Sequence, residues 1–180
     1  MTIHETLNNI DSGIHELVNN EIDILQRGLN ELNLNGHLRG YLRPLFPNFD
    51  VDPEYNGDIL KENDRKALDI AKNRMLEIGI EPNERNNYPL TPDIIIHKRN
   101  SNEQNLVVIE IKKDNNNRKN KDFDLLKLEH MTIDYMGNHY NYKLGVAIIF
   151  GTNTKAGTYD IIYFQNGVLT KREDLRFEII

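Results

Sequence analysis

Two acids and a lysine interrupt an otherwise apolar part of the chain. Asp93 opens the run Asp-Ile-Ile-Ile, and Glu110 and Lys112 fall in and just after a second run that starts at Leu106. Both runs are rich in β-branched residues, and residues 99–104 between them are turn formers, so the pattern predicts a β-hairpin. Carboxylates and an ammonium group on one hairpin are groups that bind a cation and orient water.

The register of this hairpin decides whether the three charged side chains meet. A turn centred between Ser101 and Asn102 places Asp93 directly opposite Glu110. Side chains alternate along a strand, so Lys112 shares the face of Glu110. Like charges that face each other in a sheet are destabilising, and a buried acid costs more unless a partner compensates it. A divalent cation is the expected compensator, so the pattern predicts a metal site.

Phosphodiester hydrolysis is the chemistry that this arrangement favours. Mg²⁺ and similar cations take oxygen ligands, commonly one or two carboxylates together with waters and phosphate oxygens. Lys112 would then position or polarise the attacking water. The alternative is that Glu110 and Lys112 form a surface pair and that Asp93 only starts a strand. A half-exposed strand alternates apolar and polar residues, whereas residues 106–111 are almost continuously apolar, which indicates that both faces are covered.

The order Pro92-Asp93, sixteen residues, Glu110-Ile111-Lys112 resembles the signature of the PD-(D/E)XK nuclease superfamily. Further blocks resemble a small prokaryotic branch of that superfamily, and the resemblance covers roughly residues 21–150; the blocks are 51–56, 92–97, 105–113 and 124–132. The resemblance implies an α/β protein with a restriction-endonuclease-like core (αβββαβ), in which a mixed central sheet is flanked by helices, here with extra C-terminal strands. It also implies a nuclease that needs Mg²⁺ or Mn²⁺ and acts on DNA rather than RNA.

The resemblance assigns roles to the hairpin residues. Asp93 and Glu110 become metal ligands, and the backbone carbonyl of Ile111 completes the metal shell. Lys112 acts at the nucleophilic water. No cysteine, serine or histidine nucleophile is needed, because the metal lowers the pKa of its bound water and neutralises charge on the phosphate.

A third acid of the site is expected from one of two places. In this superfamily an acid on the helix before the sheet often joins the metal site. Glu21 and Glu31 lie on that predicted helix, and Glu21 is the preferred candidate; its alternative is an ordinary exposed helical glutamate. Glu54, in the Glu-Tyr-Asn block, is the other candidate. Asp52 and Glu54 have the common alternative of outward-facing strand charges.

A lysine-rich stretch follows the hairpin and is a candidate nucleic-acid-binding strip. Phosphate contacts require lysine and arginine side chains, and a solvated loop would show the same pattern. Lys127 lies further along, at helical spacing from Asp124, so the two side chains are also placed to pair with each other. The candidate residues for phosphate contact are Lys113, Arg118, Lys119, Lys121 and Lys127.

Length and composition predict one domain over residues 1–180, since the chain is long enough to bury a core and shows no internal repeat. The chain has no cysteine, which excludes disulfides and thiolate chemistry. The net charge of −6 argues against a protein that coats nucleic acid without specificity. No signal peptide, targeting segment or long apolar span is evident, which predicts a cytoplasmic protein without a membrane partner.

Periodicity predicts the remaining elements. Residues 3–34 have helical spacing, as two helices broken near residues 11–13 or one bent helix, with an end at Asn35-Gly36. A half-buried strand is expected over residues 49–55, in which Pro53 indicates either an edge or a bulge, and residues 57–87 are expected to be a helical insertion. The later elements expected are a helix over 122–136, a strand over 143–150 parallel to the second hairpin strand, a strand over 159–165, a turn at Asn166-Gly167, and a short edge strand over 175–180.

A second class of function remains open at this point. A protein of this fold without catalytic activity would bind nucleic acid or a partner protein, and the acidic net charge is compatible with it. Retention of Asp93, Glu110 and Lys112 favours catalysis. A homodimer is also left open by the sequence.

Overall fold

The computed structural model describes residues 1–58, 65–101 and 103–170. Helix α1 (Ile3–Asn20) begins at Thr2, whose hydroxyl accepts a hydrogen bond from the Glu5 backbone N–H while the Glu5 carboxylate accepts one from the Thr2 N–H. This reciprocal cap satisfies two backbone donors that a helix start leaves free. Helices α2 (Ile22–Gln26) and α3 (Glu31–Leu45) follow.

The predicted helix break near residues 11–13 is wrong, because α1 runs through Gly13. At Gly13 helices α1 and α3 approach closely: a Cβ atom there would lie 2.7 Å from Leu42 Cδ2. The glycine therefore serves packing, and the helical segment is interrupted later, first at Glu21 between α1 and α2 and then after α2, where Gly28 adopts a φ of +60°. The predicted end at Asn35-Gly36 is also wrong, since both residues lie inside α3.

The strands within the described ranges build two sheets. Six of them form one mixed sheet in the order β1-β4-β5-β6-β7-β8, in which β5 and β6 are parallel and the other neighbours are antiparallel. The strands are β1 (Asp50–Pro53), β2 (Ala67–Asp69), β3 (Asn87–Pro89), β4 (Ile94–His97), β5 (Val107–Lys113), β6 (Leu144–Phe150), β7 (Tyr159–Gln165) and β8 (Val168–Thr170). The predicted parallel pairing of β5 with β6 and the position of β1 at an edge are confirmed.

The register of the β4–β5 hairpin is the one predicted. Ile94 pairs with Ile109, and Ile96 pairs with Val107. The next pair along the ladder brings Asp93 opposite Glu110. This register also places the apolar runs of the two strands beside each other. The apolar pattern and the polar turn therefore favour the same pairing.

Helices cover both faces of the large sheet. Val107, Ile109 and Ile111 pack in one core with α1 and α3, while Val108 packs in a second core with helix α5 (Arg118–Met131). Because both faces are buried, β5 is a nearly continuous apolar run, as predicted. The protein is therefore of the α/β class, with a mixed six-stranded sheet flanked by helices.

The expected helical insertion over residues 57–87 has a different structure. Its described part contains β2 and β3, which pair as a two-stranded sheet, and a short helix α4 (Lys72–Glu77). Leu68 and Ile70 point into the second core, so their spacing reflects burial rather than a helix. Lys61 of the predicted helix, and the predicted strand over 175–180, lie outside the described residues.

The later elements largely follow prediction. Helix α5 starts four residues earlier than expected, because the Asn117 side chain accepts a hydrogen bond from the Lys119 N–H and caps it. Strand β7 has the predicted bounds, and Asn166 and Gly167 both adopt positive φ in the tight turn to β8. No helix among the described residues is long and apolar enough to cross a membrane.

Candidate active site

Asp93 is fixed against β5 by its own carboxylate. Its Oδ2 accepts a hydrogen bond of 2.7 Å from the backbone N–H of Ile111, just where β4 begins. Burial raises the pKa of Asp93 above its ordinary value, although the Ile111 N–H and the Lys112 ammonium oppose that rise. The hydrogen bond thus holds the acid at the edge of the hairpin with one oxygen engaged.

Glu110 is the most deeply buried acid of the site, with an exposed fraction of 2%. Lys127 Nζ lies 2.8 Å from Glu110 Oε1, which makes an ion pair. This ammonium is the partner of a carboxylate oxygen, Glu110 Oε1, that is otherwise closed off from solvent. Burial raises the pKa of Glu110 to about 8, against the opposing attraction of Lys127.

Lys112 contacts three acids and a carbonyl. Its Nζ lies 3.0 Å from Asp124 Oδ2, 3.4 Å from Glu31 Oε2 and 3.9 Å from Asp93 Oδ2. It also donates a hydrogen bond of 3.1 Å to the carbonyl of Ile111. Burial opposes the charge of Lys112, but attraction by Asp124 and Asp93 outweighs burial and raises its pKa. The group is therefore an ammonium at neutral pH, suited to donate hydrogen bonds.

Asp124 joins the two lysines and was not predicted as a site residue. Its Oδ1 lies 2.5 Å from Lys127 Nζ, and its Oδ2 lies 3.0 Å from Lys112 Nζ. The sequence pattern showed Asp124 and Lys127 as neighbours on one helix, which usually means a surface pair. Only the docking of α5 on β5 and β6, which buries Asp124, reveals the contact with Lys112.

Glu31 is the helix acid that reaches the site. Besides its contact with Lys112, its Oε1 accepts a hydrogen bond of 2.5 Å from the Asn116 side-chain amide. Glu21, the preferred candidate, lies elsewhere: its Oε1 is 2.9 Å from His37 Nδ1 and accepts a 2.9 Å hydrogen bond from Tyr41. His37 and Tyr41 lie six and ten residues beyond Glu31, about two and three turns further along α3.

Glu54, the other candidate for the third acid, is exposed. The chain leaves β1 here with a φ of +48°, and the backbone N–H of Glu54 donates to the carbonyl of Asp93. Within the described ranges its carboxylate makes no hydrogen bond or ion pair with the side chains of the site. The backbone of Glu54 thus supports the hairpin, while its side chain is not among the groups that the structure brings together.

The expected lysine strip is divided among several tasks. Lys113 donates to the carbonyls of Gly28 and Leu29, and so fastens the loop before α3 to the end of β5. Lys119 and Lys121 also donate to backbone carbonyls. Arg118 is almost fully exposed, with one weak contact to Asp122. Of the five predicted residues, Lys127 alone is seen in contact with the acids of the site.

Another buried acid lies at the edge of the sheet, away from the hairpin acids. Asp52 is 5% exposed and accepts hydrogen bonds from His97 Nε2 at 3.1 Å and from Arg99 Nε at 2.8 Å, with a further short contact to Arg99 Nη2. Burial opposes ionisation, but Arg99 and His97 hold the pKa of Asp52 below its ordinary value. The expectation of Asp52 as an outward-facing charge is therefore wrong, and His97 packs against Asp52 and Tyr55.

The donor set fits a divalent cation held by a few protein oxygens. Four carboxylates meet two ammonium groups, which leaves two negative charges when all are ionised. Glu110 Oε1 is a buried oxygen in contact with Lys127, and the same hairpin carries the Asp93 carboxylate and the Ile111 carbonyl. Among the described residues no three acid or histidine side chains form a ready-made cage. A cation held here would therefore need several water ligands, which Mg²⁺ usually keeps.

The raised pKa of Glu110 predicts a pH-dependent cost of its burial. Between about pH 5 and pH 8 the native protein retains a proton that the unfolded chain releases, so its stability falls as the pH rises. Glu110→Gln removes this effect, and its gain in free energy of unfolding over the wild type is expected to grow from pH 5 to pH 8. Urea unfolding in metal-free buffer measures the difference. A gain that does not depend on pH would contradict the assigned shift.

No family model, no curated protein and no solved structure matches this chain. The geometry of the site is therefore the basis for the functional argument.

Proposed function

We propose that the protein is a metal-dependent nuclease that hydrolyses phosphodiester bonds, with DNA as the preferred substrate. The observation that carries this proposal is Glu110, a fully buried acid that lies on the same hairpin as Asp93 in a cluster where carboxylates outnumber ammonium groups. Lys127 and Lys112 offset two of the four negative charges of the cluster when all are ionised, and a bound divalent cation would offset the other two. Lys112, on the same strand as Glu110, supplies an ammonium 3.9 Å from the Asp93 carboxylate.

The order of elements supports the same proposal. Helix α3, strands β1, β4 and β5, helix α5 and strand β6 follow one another in the αβββαβ order of a restriction-endonuclease-like core, with β7 and β8 as additions. The segment 57–87 lies between β1 and β4, where the proposed core needs only a connection. We therefore assign residues 1–180 to one PD-(D/E)XK-like domain with an insertion.

In the proposed reaction the hairpin residues have separate roles. Asp93, Glu110 and the carbonyl of Ile111 would hold the cation, which when bound neutralises phosphate charge and lowers the pKa of a water. Lys112 remains protonated, so it orients the attacking water by donating hydrogen bonds and does not act as a general base. Lys127 keeps a positive charge beside Glu110 and reduces the repulsion between Glu110 and Asp93.

A titration of cleavage with Mg²⁺ and Mn²⁺ tests the proposal. The substrates are supercoiled, linear and single-stranded DNA together with single-stranded RNA, and the control is purified Lys112→Ala protein. Cleavage by the wild type that depends on the metal and is lost in the control supports the proposal. Cleavage that persists in Asp93→Ala, Glu110→Ala and Lys112→Ala alike would show that a contaminant is responsible and would sink it.

The third acid has its own test in a pair of matched variants. Glu31→Gln keeps the shape of the side chain but weakens its hold on Lys112, so cleavage is expected to fall by about tenfold or more. Glu21→Gln disturbs only the contacts with His37 and Tyr41, and cleavage is expected to stay near the wild-type rate. If Glu21→Gln cleaved more slowly than Glu31→Gln, Glu21 rather than Glu31 would be the third acid of the site.

A catalytically silent nuclease-fold module is the second candidate, and one contact favours it. The Lys112 ammonium itself donates to the Ile111 carbonyl, so a cation already lies beside the predicted ligands. Calorimetry with Mn²⁺ distinguishes the two candidates. Binding of Mn²⁺ that is lost in Glu110→Gln supports the nuclease, whereas no binding together with tight association with nucleic acid or a partner protein supports the module.

A further inference from the structure

One carboxylate of the site contacts both of its ammonium groups. Asp124 Oδ1 lies 2.5 Å from Lys127 Nζ, and Asp124 Oδ2 lies 3.0 Å from Lys112 Nζ. Each lysine also contacts acids that the other does not: Lys127 contacts Glu110, and Lys112 contacts Glu31 and Asp93. Among the described residues, Asp124 alone is in contact with both ammonium groups.

We propose that Asp124 is a positioning residue that binds both lysines of the site and keeps them in separate places. It holds Lys127 in contact with Glu110 and Lys112 beside Asp93. The proposal rests on the proposed nuclease function for its catalytic meaning. Asp124 does not contact the reacting atoms in this arrangement; it acts through the two lysines.

The physical need for such a residue follows from the lysine side chain. A lysine has several rotatable bonds, and fixing it in one position costs rotamer entropy. Lys112 and Lys127 are nevertheless mostly buried, with side-chain exposed fractions of 16% and 13%. Two ammonium groups confined near one another repel, and a shared carboxylate between them offsets that repulsion.

Asp124 also makes the site depend on an element outside the hairpin. It lies on α5, which is anchored in the second core by Leu126, Leu128 and Met131. Because those apolar residues fix the helix, the carboxylate of Asp124 approaches β5 from a rigid support. The hairpin supplies Asp93, Glu110 and Lys112, and α5 determines where the Lys112 ammonium rests.

Competitive acetylation of lysines, followed by mass spectrometry, tests the positioning without any need for activity. Asp124→Asn keeps the shape of the side chain and removes its charge. Labelling of Lys112 and Lys127 is then expected to rise about tenfold, because the free energy of one charge-assisted hydrogen bond corresponds to a ratio of that size. Lys155, which is 70% exposed, is the internal reference. Asp122→Asn is the matched control, because Asp122 lies on the same helix and its ion pair within the described ranges is with exposed Arg118.

Cleavage kinetics of the same variants test the catalytic meaning. Asp124→Asn is expected to lower kcat by about tenfold to a hundredfold, as is common when a group that orients site residues is lost. KM is expected to change little, because a positioning role acts on turnover rather than on substrate binding. Asp124→Glu keeps the charge, so its labelling and kcat are expected to lie closer to those of the wild type than to those of Asp124→Asn.

The outcomes separate this proposal from the proposed function. Unchanged labelling of both lysines in folded Asp124→Asn protein overturns the positioning role, whatever the cleavage result. Higher labelling of Lys112 and Lys127 in Asp124→Asn together with an unchanged kcat overturns the catalytic role of Asp124. A wild type that cleaves none of the substrates defeats the proposed nuclease function, and labelling then still decides whether Asp124 holds the lysine pair. Circular dichroism and urea unfolding identify any variant that has failed to fold, and Asp124→Glu then supplies the comparison.

Discussion

Purified Glu110→Gln protein is expected to lose metal-dependent cleavage by at least about a hundredfold, the effect of removing one preorganised electrostatic group from an active site. The same protein is expected to be more stable than the wild type at pH 8 in metal-free buffer. The two effects have one cause, because the buried carboxylate that would hold the cation is costly to bury without it. Initial rates at saturating Mn²⁺ and urea midpoints measure the pair.

Glu54→Gln is the matched control for this variant. It makes the same chemical change at an exposed glutamate near the hairpin, and neither cleavage nor stability is expected to change. A Glu110→Gln protein that cleaves at the wild-type rate would remove Glu110 from the mechanism. A variant that is less stable than the wild type at pH 8 would mean that the Lys127 ion pair outweighs the cost of burial.

Arg99→Met is expected to destabilise the fold by about 2 to 3 kcal/mol at neutral pH, the scale for a buried charge that loses its partner. Asp52 is buried, and Arg99 supplies two of its hydrogen bonds from the surface. Without Arg99 the carboxylate depends on His97, whose burial lowers its pKa and leaves it neutral. In an Asp52→Asn background the same substitution is expected to cost much less, since no charge is then stranded.

The pH dependence of the Arg99→Met effect follows from the depressed pKa of Asp52. An acid whose pKa is lowered in the native state adds stability above its ordinary pKa, and this is lost as the pH falls through the native value. The difference between Arg99→Met and the wild type is therefore expected to vanish in strong acid. Arg118→Met is the control, because Arg118 is almost fully exposed and its loss should change stability by less than about 0.5 kcal/mol. Equal costs of Arg99→Met in the wild-type and Asp52→Asn backgrounds would contradict the pairing.

The hairpin was predictable because its signals are local. Two apolar runs and one turn determine the register, and the register determines that Asp93 faces Glu110. The third acid was not predictable in this way. Glu21 and Glu31 are both helical glutamates in the sequence, and they are distinguished only by the break after α2, which places Glu31 at the start of α3 near Lys112.

Asp124 and the segment 57–87 illustrate two other limits. The contact of Asp124 with Lys112 depends on how α5 docks, which is a property of tertiary packing rather than of spacing. The buried positions within residues 67–78 have a spacing that resembles helical periodicity. Ala67–Asp69 is nevertheless a strand, because it pairs with Asn87–Pro89. Local pattern therefore specified the strands of the large sheet better than the segments that cover it.

The Asp93 carboxylate accepts a hydrogen bond from the Ile111 N–H. Asp93 therefore supplies the final hydrogen bond between the two hairpin strands as well as being a candidate metal ligand. A backbone donor of β5 is satisfied there by a side chain, so the strands separate while the donor stays bonded. Asp93→Ala would leave that N–H without its acceptor and would confound a loss of metal binding with fraying of the strand end. Asp93→Asn keeps a side-chain oxygen that accepts this hydrogen bond. It therefore tests the loss of the negative charge while the pairing at the strand end is preserved.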